Sequence, residues 1–210
     1  MGYEHIYKQY SNNNMSDIAI FVICFIIFAI TLRFKAMKKN INQSDYKENR
    51  WSGGITRELL ILPQGSSLSE RNFDIRISSA VINLTKSVFS DFTNYKRYIL
   101  PVEGSITLYI DNKEYPLNRD VPFEFDGSES VCSQNSVNAV DFNVICRKEL
   151  NVNVAALSKG KNNKQNATFI FALEDIVINN MKVSKYDSII LDEPYQFEGK
   201  AIVVENLLKG

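Results

Sequence analysis

Beyond residue 50 the apolar residues fall at alternate positions or in short bursts, a pattern of period two that predicts β-strands. FDIRISSAVI (73–82), RYILPV (97–102), SITLYI (105–110), VDFNVIC (140–146), NVNVAAL (151–157), ATFIFAL (167–173), SIIL (188–191) and AIVVENL (201–207) all read this way. Turn formers separate them: Glu103-Gly104, Asp111-Asn112, Asn118-Arg119-Asp120, Asp126-Gly127 and Asn179-Asn180. No segment of helical length carries a helical stripe. The body is therefore expected to be all-β, a sandwich or barrel.

The pattern also echoes itself. LYIDNKEYPLNRDVPFEF (108–125) is a strand, an Asp-Asn turn, a short strand, a polar corner and a further strand. IVINNMKVSKYDSIIL (176–191) repeats that order around an Asn-Asn turn. Either the body is duplicated or two β-hairpins resemble each other generically. The polar stretch Ser158–Asn166 is the expected seam between the halves.

A different pattern occupies the start. Ile18–Leu32 is an uncharged run, apolar all round, with Asp17 before it and Arg33, Lys35, Lys38 and Lys39 after it. It predicts an N-terminal apolar helix over residues 17–36, a transmembrane helix after a tail at 1–16 and before a linker at 37–50. The basic flank would place the C-terminal domain in the cytoplasm of a single-pass membrane protein. The alternative is a cytoplasmic protein whose translation starts at Met37.

Composition changes this picture little. Apolar residues make up 45% of the 210 and charged residues 23%, values of an ordinary globular chain. The formal net charge is zero, and with the basic excess lying in the first 50 residues the body is mildly acidic. No nucleic-acid partner is expected. Three cysteines, Cys24, Cys132 and Cys146, make no disulfide framework. The single histidine, His5, precedes the apolar run, so the usual imidazole-based metal centres and nucleophilic triads are not expected in the body.

Five short motifs, in order, resemble the HutD/Ves family of bicupin-like proteins. They are Asn49-Arg50-Trp51-Ser52-Gly53-Gly54-Ile55-Thr56-Arg57-Glu58, Phe73-Asp74-Ile75-Arg76-Ile77-Ser78-Ser79-Ala80, Phe89-Ser90-Asp91-Phe92 with Arg97, Phe125-Asp126-Gly127, and Asp141-Phe142-Asn143-Val144 with Arg147. The resemblance runs through residues 45–150 and fades beyond. It implies two cupin-like barrels in one chain, a first at 51–157 and a second, smaller half at 158–210. It also implies an accessory or regulatory place near histidine catabolism, with a small acidic metabolite as ligand; the residues themselves lead to the expectation of no cofactor.

The residues permit such a ligand. Asp141, Asn143, Ile145 and Arg147 share one face of their strand, and Arg76 shares a face with Asp74, Ser78 and Ala80. Arg57, Glu58, Arg76, Arg97, Asp141, Asn143 and Arg147 are the candidate ligand-binding residues, because guanidinium forks hold carboxylates in a bidentate way. The competing reading pairs Arg57, Arg76, Arg97 and Arg147 with Glu58, Asp74, Asp91 and Asp141 as structural ion pairs. A metal-free binding module for a small carboxylate-bearing metabolite is the first expectation, and a homodimer is compatible with it. A metal-free isomerase or hydrolase using Asp141 or Glu58 as acid–base is the second, and a scaffold without a ligand the third.

Overall fold

The computed structural model describes residues 39–208. Every strand in it pairs antiparallel, and the one helical element among the described residues is the three-residue 3-10 turn Gln43–Asp45. The strands are β1 (Lys39–Ile41), β2 (Lys47–Trp51), β3 (Gly54–Leu62), β4 (Ile75–Ile82), β5 (Lys86–Val88), β6 (Tyr95–Glu103), β7 (Ile106–Ile110), β8 (Lys113–Pro116) and β9 (Phe123–Asp126). They continue with β10 (Val131–Asn135), β11 (Ala139–Arg147), β12 (Asn153–Asn162), β13 (Thr168–Ala172), β14 (Ile176–Ile178), β15 (Met181–Val183), β16 (Ser188–Leu191) and β17 (Tyr195–Glu205).

Three sheets result. A six-stranded sheet runs β2-β3-β4-β11-β6-β9, and a four-stranded sheet runs β5-β10-β7-β8. Between them lies a core of Ile82, Ile99, Ile106, Leu108, Ile110, Phe125, Val131 and Ala139. The third sheet runs β1-β16-β13-β17-β14-β15, with β12 on β17. It curls around its own core of Ile170, Ile176, Ile178, Val183, Ile189, Leu191, Phe197 and Val203. The outward faces of β11 and β13 meet, with the Phe142 and Phe171 rings 5.4 Å apart. Strands buried on both sides in this way read as continuous apolar runs, as ATFIFAL does.

The echoed segments take the same pairing. β7 pairs with β8 and β6 with β9; β14 pairs with β15 and β13 with β16. Both hairpins turn on two residues with positive φ, Asp111 (49°) and Asn112 (61°) in one, Asn179 (47°) and Asn180 (65°) in the other. That conformation matches the twist of the flanking strands and favours Asn and Asp. In the first half β10 pairs with β7 and β11 with β6. In the second, β17 does both jobs, meeting β14 at Phe197–Glu198 and β13 at Ala201–Glu205.

Three expectations need correction. The stretch 37–50 is not a free linker in its described part. β1 pairs with β16, Tyr46 Oη donates to Ser188 Oγ at 2.9 Å, and β2 pairs with β3. The seam placed at Ser158–Asn166 falls inside and after β12, which runs to Asn162; the chain passes from the six-stranded sheet to the seven-stranded one earlier, in the segment between β11 and β12. The single-pass membrane localisation is also corrected: among the described residues no helix is long and apolar enough to cross a membrane. The apolar helix expected at 17–36 lies outside the described residues.

Candidate functional site

Because β3, β4, β11 and β6 are neighbours in register, their alternate residues form rungs on the face of the six-stranded sheet that looks toward the core it shares with the four-stranded sheet. Glu58, Ser78, Asn143 and Ile99 stand on one rung. Arg76, Ile145 and Arg97 stand on the rung to one side, and Ala80, Asp141 and Pro101 on the rung to the other. The opposite face of the same strands carries Ile77, Phe142, Val144 and Leu100, all fully buried. One end of the barrel interior is thus polar, while its other end is the apolar core. Arg76, Arg97, Asp141 and Asn143 each keep 6–7% of their surface accessible, whereas neighbouring Ile99 keeps none.

Two interior arginines sit in different surroundings. Arg76 is closed: Nε donates to Glu58 Oε2 at 2.8 Å and Nη1 to Ser78 Oγ at 3.0 Å. Arg97 is open. Its Nη1 reaches the Ser90 carbonyl only at 3.4 Å and its Nη2 reaches Asn143 Oδ1 at 3.5 Å. Its Nε is buried with no partner. The other such buried atom among the described residues is Asn135 Oδ1, on β10. Three rings surround the Arg97 guanidinium, Phe89 at 4.7 Å, Phe125 at 5.1 Å and Phe92 at 5.6 Å. Aromatic faces attract the cation without supplying a hydrogen-bond acceptor in the guanidinium plane. Burial pulls the Arg97 pKa down to about 10, against the opposing pull of Asp141.

Asp141 faces this arginine from β11, just past a register irregularity between Val140 and Asp141. Its Oδ1 accepts the Ala80 N–H at 2.9 Å. Burial pushes its pKa up to about 6, with the Ala80 N–H, Arg97 and Arg76 each holding it back. A buried carboxyl near neutrality can act as an acceptor or exchange a proton.

The other candidates lie elsewhere. Arg57 and Glu58 are adjacent on one strand and must point to opposite faces. Glu58 goes in; Arg57 goes out, where its Nε meets Glu48 Oε1 at 3.0 Å. Arg147 ends β11, stacking over Tyr95 at 4.7 Å and reaching the Arg71 carbonyl at 3.4 Å. Arg57 and Arg147 are therefore not brought to the cluster. Asp91, expected as a partner for arginine in the structural reading, instead accepts from Thr93 at 2.6 Å.

The sequence reading missed Ser78 and the Phe89, Phe92 and Phe125 rings as site residues. The rings stood in two of the five motifs, but their convergence depends on Gly127. Phe92 N donates to the Gly127 carbonyl at 2.7 Å, and Gly127 N donates to the Tyr95 carbonyl at 2.9 Å. A Cβ on residue 127 would lie 2.3 Å from the Phe92 carbonyl oxygen, so only glycine permits the approach. Gly54 serves a similar purpose at the mouth of β3, where a Cβ would lie 1.9 Å from the Val81 carbonyl oxygen.

The interior does not suit a transition metal. Its two carboxylates stand among two guanidiniums and no imidazole, and no group of three or more His, Cys, Asp or Glu among the described residues could hold an ion. Cys146 is a buried free thiol whose pKa burial pushes up to about 12, so it is no nucleophile at neutral pH.

Comparison with solved structures gives the same architecture. HutD from Pseudomonas fluorescens SBW25, determined in a formate condition, superimposes with a TM-score of 0.70 at 22% identity, over 80% of this chain and 97% of that one. A conserved protein of unknown function from Pseudomonas aeruginosa PAO1 does so with a TM-score of 0.68 at 22% identity, over 80% and 97%. A bacterial pirin from Escherichia coli, in complex with nickel(II), matches with a TM-score of 0.61 at 9% identity, over 80% and 98%. The fold is thus all-β and cupin-like, with a nearly closed barrel. No curated protein matches the chain in sequence. The model of the HutD family, however, matches residues 43–206, which takes in every strand from β2 to β17, so the chain belongs to the HutD family.

Proposed function

We propose that this protein is a metal-free, cupin-like binding module that holds a small carboxylate-bearing metabolite inside its first barrel. The observation that carries the reading is Arg97. A guanidinium buried in a box of three rings, with Nε unpartnered, is costly to keep unless something completes it. A carboxylate offers the paired acceptors that its fork fits. Asn143 beside it is the second contact residue, and Arg76 with Glu58 shapes the wall rather than binding. The repeated strand pairing supports reading the chain as two cupin-like halves, and among the described residues the buried charged groups, Arg76, Arg97 and Asp141, all lie in the first. Family membership supports a place beside amino-acid catabolism, histidine catabolism included, as an accessory or regulatory protein.

The test is a screen of small carboxylates by thermal shift on wild type and Arg97→Gln. Wild type should be stabilised by at least one of them, and the variant by none. Loss of a charge-assisted contact should weaken binding by ~1.5–3 kcal/mol, roughly ten- to a hundredfold. A wild type that no carboxylate stabilises ends this reading. The acid–base alternative draws on Asp141, whose pKa near 6 suits proton transfer. Turnover of a bound carboxylate, lost in Asp141→Asn, would establish that alternative.

A further inference from the structure

The polar end of the first barrel has two unfinished groups, and they are of opposite kind. Arg97 supplies donors and lacks acceptors: its Nε has none, its other two contacts are 3.4 and 3.5 Å long, and no carboxylate comes within ion-pair distance of it among the described residues. Asp141 accepts and lacks donors. Its Oδ1 takes the Ala80 N–H, and Oδ2 has no protein donor among the described residues but, unlike Arg97 Nε, keeps some accessible surface. Asn143 lies between them on β11, its Oδ1 turned to Arg97. On the wall formed by β6 and β11, the Arg97 rung and the Asp141 rung lie on either side of the Asn143 rung. Glu58 and Arg76, the other charged groups of this interior, are taken up by each other.

The charge balance points the same way. With Glu58 paired to Arg76, the interior holds one open cation and one open anion. A simple carboxylate brought to Arg97 places a second negative charge beside Asp141 in a site of low polarity, where like charges repel strongly. A ligand that carries its own N–H donor avoids that conflict and completes both groups.

We propose that the barrel selects an amphoteric small molecule, with its carboxylate on Arg97 and Asn143 and its N–H donor, a protonated amine in the simplest case, on Asp141. This rests on the reading of Arg97 as a carboxylate site, and it adds what stands at the other end of the ligand. The Phe89, Phe92 and Phe125 rings then cover the carboxylate end, and Asp141 sets specificity by rejecting acids that bring no donor.

Matched pairs of probes decide it. Glycine, β-alanine and γ-aminobutyric acid are titrated by calorimetry at pH 7 against acetate, propionate and butyrate, each amino acid beside the fatty acid of equal carbon count. In at least one pair the amino acid should bind ten times more tightly or better. Asp141→Asn should bring the two members of that pair to within threefold of each other, and Arg97→Gln should abolish binding of both. Should Asp141→Asn not fold, the wild-type pairs decide alone. Fatty acids that bind as well as their amino partners overturn the proposal and leave the Arg97 carboxylate site standing. Absence of binding by all six probes overturns the proposal; the Arg97 carboxylate site falls with it only when no other carboxylate stabilises the wild type either.

Discussion

Arg76 Nε lies 2.8 Å from Glu58 Oε2, across the pairing of β3 with β4, and both groups are largely shielded from water. Breaking such a pair leaves one charge buried and alone. Arg76→Gln or Glu58→Gln alone should therefore cost ~3–5 kcal/mol of stability. The double substitution Arg76→Met with Glu58→Leu should recover most of that loss, because two apolar side chains need no desolvation. Urea denaturation of wild type, the two single variants and the double variant makes the comparison. Single variants within ~0.5 kcal/mol of wild type would show that water reaches the pair freely.

Arg97 should behave in the opposite manner. No carboxylate stands within ion-pair distance of it, and Asp141 nearby can take up a proton, so Arg97→Met should fold with a stability no worse than ~1 kcal/mol below wild type, well short of the cost of breaking a direct pair. The same variant should lose the stabilisation that carboxylates give the wild type. A function that is lost while stability is kept marks a binding residue. A drop of several kcal/mol in the unliganded protein would instead mark Arg97 as structural.

Asp141 should leave a signature in the pH dependence of stability. Its folded pKa of about 6 lies above the ordinary 3.8, so the native state holds its proton more tightly than the unfolded chain does. That contribution is fully present below about pH 4 and is lost as pH rises through about 6. A shift of this size is worth roughly 3 kcal/mol. Asp141→Asn should flatten the curve in that window. Chemical denaturation at intervals from pH 4 to 7 reads the difference, and identical slopes in wild type and variant would contradict a buried carboxyl at this position.

Gly127→Ala should disturb the Arg97 box without touching the arginine. Its Cβ would meet the Phe92 carbonyl at 2.3 Å and the Tyr95 carbonyl at 2.8 Å, both of them backbone. Overpacking of this kind typically costs ~1–3 kcal/mol. Phe92 should move, and its ring signals should shift in a methyl- and aromatic-labelled spectrum. A variant that melts with the wild type and keeps those signals would mean that the Phe92 turn can give way.

Much of the fold was legible because its strands declare themselves by alternation. The alternation in VDFNVIC separates Phe142 and Val144 from Asp141 and Asn143, and the sheet honours that separation. The same rule, applied strictly to Arg57 and Glu58, sends one of them outward; treating both as lining overrode it. Arg76 and Arg97 could not be told apart in sequence, since each stands in an apolar strand near acidic residues. Their difference comes from register, which places Glu58 opposite Ser78 and next to Arg76 but leaves Arg97 among rings. The motif around Gly127 hinted at the box, yet a close backbone approach has no periodicity to read. The polar stretch before residue 50 was equally silent, because a partner 150 residues away leaves no local trace.

That partner has a consequence for the order of events during synthesis. Lys39 sits opposite Ile190 and Ile41 opposite Ser188, so β1 leaves the ribosome long before the strand it belongs to. The six- and four-stranded sheets have all of their strands once β11 has emerged, and their folding need not wait. β1 must wait, an edge-forming segment with no sheet to join, until β16 arrives. Contacts so distant along the chain form late and slowly, and strands left unpaired meanwhile invite wrong partners. Two of the three residues in β1, Lys39 and Asn40, are polar and exposed, which keeps the waiting strand soluble. Among the described residues, the third sheet is thus closed at one edge by a strand made about 150 residues before its partner.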